Sequence, residues 1–372
     1  MKKALVSDWL TTNAGAEKVV GAINLLYPEI DNYALVDTLN ESDRKEILLG
    51  KRATTSFLQN MPFAGHNFRR FLPLFPYAIE QFDLSRYEVV LSSSHCVAKG
   101  VLTSHEQLHI CYIHTPMRYA WDMHNEYLAN SGFGKFKKAI ASYFLYKIRQ
   151  WDTVSSLRVD KFIANSNFVA SRVKKIYNKE AKVIYPPVDI DKFSLGNKSD
   201  EYYLTAGRLV SYKKFDLIIK AFNKNKRKLI IIGEGKELEN LKKIANKNIE
   251  FLEKVDNNAL VKTMQNAKAF VFAAKEDFGI TPVEAMACGK PVIFYAQGGV
   301  TESVRDGIEG IGFYKQNELS LNEAINEFEK NIDCFNPEKI RLRALNFSKD
   351  NFIKNMKQEI SNTYNMWKDG VL

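Results

Sequence analysis

No apolar run in this 372-residue chain approaches the roughly 18 residues needed to cross a bilayer. The opening MKKALVSDWL runs straight into a strand pattern in place of a signal-peptide core, so the chain is expected to stay in the cytoplasm. Cysteine is sparse. Cys96, Cys111, Cys288 and Cys334 form no CxxC pair, which argues against a disulfide framework and against a structural zinc site. There is no low-complexity tract, no repeat of solenoid length and no GxxxxGK[ST] phosphate loop, so ATPase chemistry is not expected. GEGK at 233–236 only resembles such a loop.

What is present is an ordinary globular composition, 45% apolar and 26% charged, in a chain long enough for two cores. The net charge of +10 attracts anions (nucleotides, phosphate esters, nucleic acid, acidic lipid) without choosing among them. Short β-branched runs alternate with amphipathic stretches, the mark of βα units around parallel sheets. KKALVSDW reads as a strand and TTNAGAEKVVGAINLLY as a loop and helix, with Val19, Val20, Ile23, Leu26 and Tyr27 on one face. From residue 202, YYLTAGR, KLIIIGEG, AKAFVFAA and KPVIFYA read as strands, and SYKKFDLIIKAFNK, KELENLKKIAN and TPVEAMACG as helices. The expected class is α/β, with two Rossmann-like domains. Pro186 and Pro187 mark the boundary between residues 1–185 and residues 186–349, and residues 350–372 read as a helix that packs back on the first domain.

HEQLH, from His105 to His109, matches a zinc motif that needs a helix to bring both histidines to one face. Here it runs into the alternating ICYIH, so a metalloprotease is not expected. The DID at 189–191 resembles a metal-holding pair, but it follows the Pro-Pro linker, where Asx turns account for it.

The stretch AKEDFGITPVEAMACGKPVIFYAQGGVTE, 273–301, is more informative. Thr281 is placed as an N-cap, Pro282 at the first helical position, Glu284 at the third and Gly289 at the end. One reading is a Thr281/Glu284 capping box and nothing more. The other adds Glu276 and Gly279 at the carboxyl edge of a parallel sheet, where such folds bind ligands and where helix amides favour phosphate. Two carboxylates beside a phosphate site suit a ligand that also carries hydroxyls on both sides, as a nucleotide sugar does. Upstream, Arg208 and Lys213 in TAGRLVSYKKFD supply the charge to grip a diphosphate.

Arg208 with Lys213, EDFGITPVE and GGVTE together resemble the donor site of the retaining family 4 glycosyltransferases of GT-B fold. YIHTPMRYAWD and SSSHCVAKG are similar to segments of bacterial mannosyltransferases that build O-antigen, capsule and exopolysaccharide. The resemblance implies two domains facing a cleft. It implies that Arg208 and Lys213 bind the donor diphosphate, that Glu276 binds the sugar and Glu284 the ribose, and that the amides of Gly279, Ile280 and Thr281 bind sugar or phosphates. Gly15 would lie against the diphosphate, and His114, at a strand end, near the reacting face of the sugar, with a satisfied core histidine as the competing reading. The first loop departs from the paired glycines of such enzymes, since NAGAE leaves only Gly15 free of a side chain.

The resemblance further implies mannose transfer from GDP-mannose to a saccharide carried on a lipid. The nucleotide sugar is the co-substrate, and no metal or other cofactor is needed. Attack on the front face, assisted by the leaving phosphate, leaves neither glutamate as a nucleophile, unlike the carboxylate pair of glycosidases. His95, Lys99 and Tyr119 are candidates to face the acceptor, and Tyr119, Trp121 and Asp122 read equally as wall or core. A loop around residues 254–260 is the candidate for reading the base, which leaves a UDP-sugar or another hexose donor open.

The stretch GFGKFKKAIASYFLYKIRQW, 132–151, mixes Lys135, Lys137, Lys138, Lys147 and Arg149 with aromatics and holds no acid. It reads either as an ordinary packed helix or as a segment that contacts an acidic membrane from the cytoplasmic side. A basic nucleic-acid-binding protein is the alternative of a different class. Against it, the basic residues are dispersed among acids and no nucleic-acid motif is present.

Overall fold

A computed structural model describes residues 2–371 apart from 63, 130, 131, 133 and 197–199, so Phe133 of the basic-aromatic segment lies outside the described residues. The chain forms two units, one of Met1–Pro186 with Phe352–Leu372, the other of Pro187–Asn351.

In the first unit the alternating runs become a parallel sheet of seven strands. These are β1 (Lys3–Ser7), β2 (Asp31–Ala34), β3 (Thr54–Thr55), β4 (Val89–Ser94), β5 (Leu108–Ile113), β6 (Lys161–Ala164) and β7 (Ala181–Val183), in the order β3-β2-β1-β4-β5-β6-β7. Period-two alternation sends Ala4 and Val6 into one apolar cluster and Leu5 into another, so both faces of the sheet are covered. The helix Gly15–Leu26 buries Val19, Val20 and Ile23 in the second cluster. The same cluster receives the last helix, Lys349–Lys368, through Phe352, Met356 and Ile360 at helical spacing. The Phe352 ring lies 5.7 Å from that of Tyr112, and Glu88 accepts a hydrogen bond from Tyr364 while pairing with Lys368 at 2.7 Å.

The second unit holds six parallel strands, β8 (Tyr202–Ala206), β9 (Lys228–Ile232), β10 (Ile249–Leu252), β11 (Ala269–Phe272), β12 (Val292–Tyr295) and β13 (Gly310–Phe313), in the order β10-β9-β8-β11-β12-β13. In each sheet the strand order reverses beside the first strand, between β1 and β4 and between β8 and β11. Such reversals part the connecting loops and open a crevice at the carboxyl ends of the strands.

The HEQLH segment is no helix. His105 and Glu106 lie in a turn, and Leu108 opens β5. His109 is fully buried between the Ser92 hydroxyl at 2.8 Å and the Arg158 carbonyl at 3.1 Å. Among the described residues no helix is long and apolar enough to cross a membrane.

Candidate active site

The reversal between β8 and β11 in the second unit gathers the donor-site candidates. The loop after β8 carries exposed Arg208, whose Nη2 donates to Tyr212 at 3.4 Å, and then Lys213 in a short 3-10 turn. The loop after β11 carries Glu276. Lys213 Nζ and Glu276 Oε1 form an ion pair at 3.1 Å, with each side chain less than a fifth exposed. Beside it, a cavity of about 550 Å³ is lined by Arg208, Thr281 and Glu284, by the Gly233–Gly235 turn after β9, and by Lys254, Val255 and Leu260. The expected loop at 254–260 is corrected: residues 257–260 open the helix Asn257–Asn266, capped by Asp256, and Lys254 and Val255 before it and Leu260 within it line the same cavity. A guanidinium, a carboxylate, a hydroxyl and backbone at a glycine turn can together bind an anion whose neighbouring groups carry hydroxyls.

The expected helix start at Thr281 is corrected. The helix runs Ile280–Ala287 with Gly279 as its N-cap, at φ 89° and ψ 81°, and no side chain caps it. Lacking a Cβ, Gly279 tolerates this left-handed conformation, and it starts the helix two residues earlier than a Thr281 cap would. Thr281 and Glu284 consequently fall inside the helix, no capping box forms, and the Glu284 carboxylate belongs to the cavity wall. The amides of the first helical turn have no intrahelical acceptors, which suits an anion. Gly289, at φ 74°, follows the last turn and stops the helix.

The two glycines of GGVTE act through backbone approach. The Gly299 amide donates to the Glu276 carbonyl at 2.9 Å, and a Cβ on Gly299 would stand 2.1 Å from the Asp277 carbonyl oxygen. These contacts set the loop that presents Glu276.

In the first unit the reversal lies between β1 and β4, and sequence reasoning missed its organising residue. Asp8, immediately after β1, is buried and receives four consecutive backbone amides: Val97 at 2.6 Å and Ala98 at 2.7 Å on Oδ1, His95 at 2.6 Å and Cys96 at 3.0 Å on Oδ2. The His95 ring stands with Nδ1 3.0 Å from Oδ2 and packs edge-on against Trp9. The available signal was a carboxylate directly past the first strand, facing the small-residue turn after the fourth. The His95 side chain keeps 27% of its surface exposed. His114, directly after β5, lies 6.1 Å from it between ring centres, with Nε2 2.8 Å from the Ser93 hydroxyl. Burial, aided by the nearby His95, lowers the His114 pKa to about 3, so the ring is neutral at physiological pH.

Gly15 opens the helix Gly15–Leu26, and two residues on the Glu17 carboxylate accepts the Ala14 amide at 3.3 Å. Burial raises the Glu17 pKa against that bond and the charge of His95. The Tyr119 hydroxyl is tied to Cys96 Sγ at 2.8 Å, and burial raises its pKa.

Lys99 is a correction. It does not face outward toward an acceptor but is 1% exposed, paired with Asp152 Oδ1 at 2.8 Å and donating to the Ser155 hydroxyl at 2.8 Å. Asp152 also accepts from Trp121 Nε1 and from the Tyr177 hydroxyl, so the lysine completes a buried network in place of a binding surface. Trp121 accordingly belongs to that network, and Asp122 pairs with Arg172 at 2.6 Å.

Two parallel α/β units, each with polar side chains gathered where its strand order reverses, define the GT-B fold. Solved structures agree on that fold. The sucrose-phosphate synthase of Thermosynechococcus elongatus is 13% identical with a TM-score of 0.74, over 98% of this chain and all of that one. Anabaena Alr3699/HepE, solved in complex with UDP, is 15% identical with a TM-score of 0.71, over 97% of this chain and all of that one. Residues 38–192 match the model of Glycosyltransferase Family 4, and residues 188–341 that of Glycosyl transferases group 1. The first unit thus carries the match to Glycosyltransferase Family 4, and the second unit the match to Glycosyl transferases group 1. An uncharacterized glycosyltransferase of Methanocaldococcus jannaschii is 32% identical over 178 residues, 46% of this chain and 50% of that protein. The α-1,3/1,6-mannosyltransferase ALG2 of Kluyveromyces lactis is 25% identical over 275 residues, 56% of this chain and 54% of that protein. The chain thus spans about half the length of these two curated relatives.

Proposed function

We propose that this protein is a retaining hexosyltransferase that moves mannose from GDP-mannose to a saccharide acceptor carried on a lipid, in the assembly of a bacterial surface polysaccharide. The observation that carries the transferase reading is the cavity beside the β8–β11 reversal, where Arg208, Thr281 and Glu284 meet next to the Lys213–Glu276 pair. Cleavage of the anomeric C–O bond develops positive charge on the sugar and negative charge on the departing diphosphate. Arg208, Lys213 and the amides of Gly279, Ile280 and Thr281 stabilise the diphosphate by fixed charges and dipoles, without a metal. Glu276 keeps one oxygen on Lys213 and offers the other to sugar hydroxyls, while Glu284 holds the ribose. The diphosphate oxygen released as the bond breaks takes the proton from the attacking hydroxyl, so neither carboxylate becomes covalently attached. In this reading Gly15 lies against the diphosphate, neutral His114 hydrogen-bonds the transferred sugar, and His95 and Tyr119 meet the acceptor. Mannose rests on the resemblance of HTPMRYAWD to mannosyltransferases and on similarity to ALG2. HepE with UDP is the reason to place UDP beside GDP in the test.

Calorimetric titration with GDP, UDP and ADP of the unaltered protein and of Glu284→Gln and Lys213→Ala tests this. GDP is expected to bind best, and Lys213→Ala to weaken it by about tenfold or more, the loss of one charge-assisted hydrogen bond. Preference for UDP sinks the mannose assignment, and failure to bind any nucleotide sinks the donor site. GDP-mannose turnover with lipid-linked acceptors is the second step.

A further inference from the structure

The helix Lys135–Ser155 buries only one narrow stripe, Leu145, Ile148, Asp152 and Ser155, all in its second half. Its first half carries an exposed apolar face at i, i+4, i+7 and i+8 spacing. Phe136 is 78% exposed, Ile140 42%, Tyr143 58% and Phe144 41%. Exposed Lys135, Lys137 and Lys147 stand among these side chains, and the Lys147 ammonium lies 5.7 Å from the Tyr143 ring centre. Residues 132–151 contain no carboxylate.

We propose that this face docks the protein on an anionic lipid bilayer, with the aromatic side chains at the headgroup boundary and the lysines on acidic headgroups. Lysine stems lie along apolar surface while their ammonium groups reach outward, which is the geometry such a boundary accepts. Charge argues against a second copy as occupant, because a two-fold contact would set the same lysines against each other. The inference deepens the lipid-linked acceptor of the preceding reading, and it is measured separately from nucleotide binding.

The test is sedimentation of the full chain with vesicles of phosphatidylcholine, with and without phosphatidylglycerol, at low and high salt. Binding to the anionic vesicles that fades with salt is expected. Phe136→Ser with Phe144→Ser should abolish it, and each of Lys135→Glu and Lys137→Glu should lower the partition coefficient about fivefold or more. These side chains are exposed, so folding and GDP titration of the variants should match the unaltered protein. No binding to anionic vesicles, binding that the variants leave unchanged, or concentration-dependent self-association abolished by the same variants would overturn the proposal. A protein that binds vesicles but no nucleotide sinks the transferase reading and leaves this one standing.

Discussion

Two imidazoles of the first unit are held neutral by burial, and their titration ties its stability to pH. His109 has its pKa lowered to about 4 by burial, which outweighs its bond to the Arg158 carbonyl, and that of His114 is lowered to about 3. In the unfolded chain both titrate near the ordinary value of 6.5. Above that pH neither form binds the proton. Below it the unfolded chain takes up protons that the folded one refuses, so stability falls as pH falls. For His109 the loss reaches about 2 kcal/mol at pH 5. Glu17 works in the opposite sense: burial raises its pKa above the ordinary 4.5, so its contribution is present below that ordinary value and is lost as pH rises through the higher folded one. All four tryptophans, Trp9, Trp121, Trp151 and Trp367, lie in the first unit, so their fluorescence reads that unit alone. Urea midpoints followed this way should drop between pH 7 and pH 5, and His109→Gln should show a shallower drop. A wild-type midpoint that stays level over this range would refute the assignment.

Among the elements, the buried strands of the second unit were legible because short apolar runs such as LIII and AFVF lie between amphipathic helices, and the two periods do not mimic each other. The start of the helix Ile280–Ala287 was not legible to the residue. A Thr-Pro-x-Glu string carries a strong capping signal, and the positive φ of the glycine before it overrides that signal through backbone geometry that composition does not record. Arg208, Thr281 and Glu284 could be picked out because each stands just past a strand or within the first turns of a helix. Asp8 was missed and Lys99 was given the wrong role, since the partners that fix their roles are 87 and 53 residues away. The GGVTE turn makes a claim at this scale. Gly299→Ala drives a methyl into the Asp277 carbonyl and should cost the second unit about 1–3 kcal/mol. Because the collision moves the loop that carries Glu276, turnover of the nucleotide sugar should fall more than GDP affinity does. Kinetics and calorimetry on the same preparation measure the two; equal losses would mean that the loop does not present Glu276 to the sugar as proposed.

At the level of the whole molecule, the chain passes from the first unit to the second after Pro186 and returns after Asn351. The segment that returns is short, but its apolar stripe completes a core. Phe352→Ala should cost about 3–5 kcal/mol in the first unit, read by tryptophan fluorescence in urea, while the GDP affinity of the second unit stays unchanged. Equal destabilisation of both units, or of neither, would contradict the division.

The returning helix also orders events in time. On a ribosome the second unit is one uninterrupted segment and can fold as soon as it emerges, because domains generally fold as units during synthesis. The first unit, although begun earlier, waits with the groove around Leu5, Val19 and Tyr112 open until Phe352, Met356 and Ile360 have left the tunnel. A nascent chain that stalls late in the message is therefore half finished at its beginning, and that is where a chaperone would find apolar surface to hold.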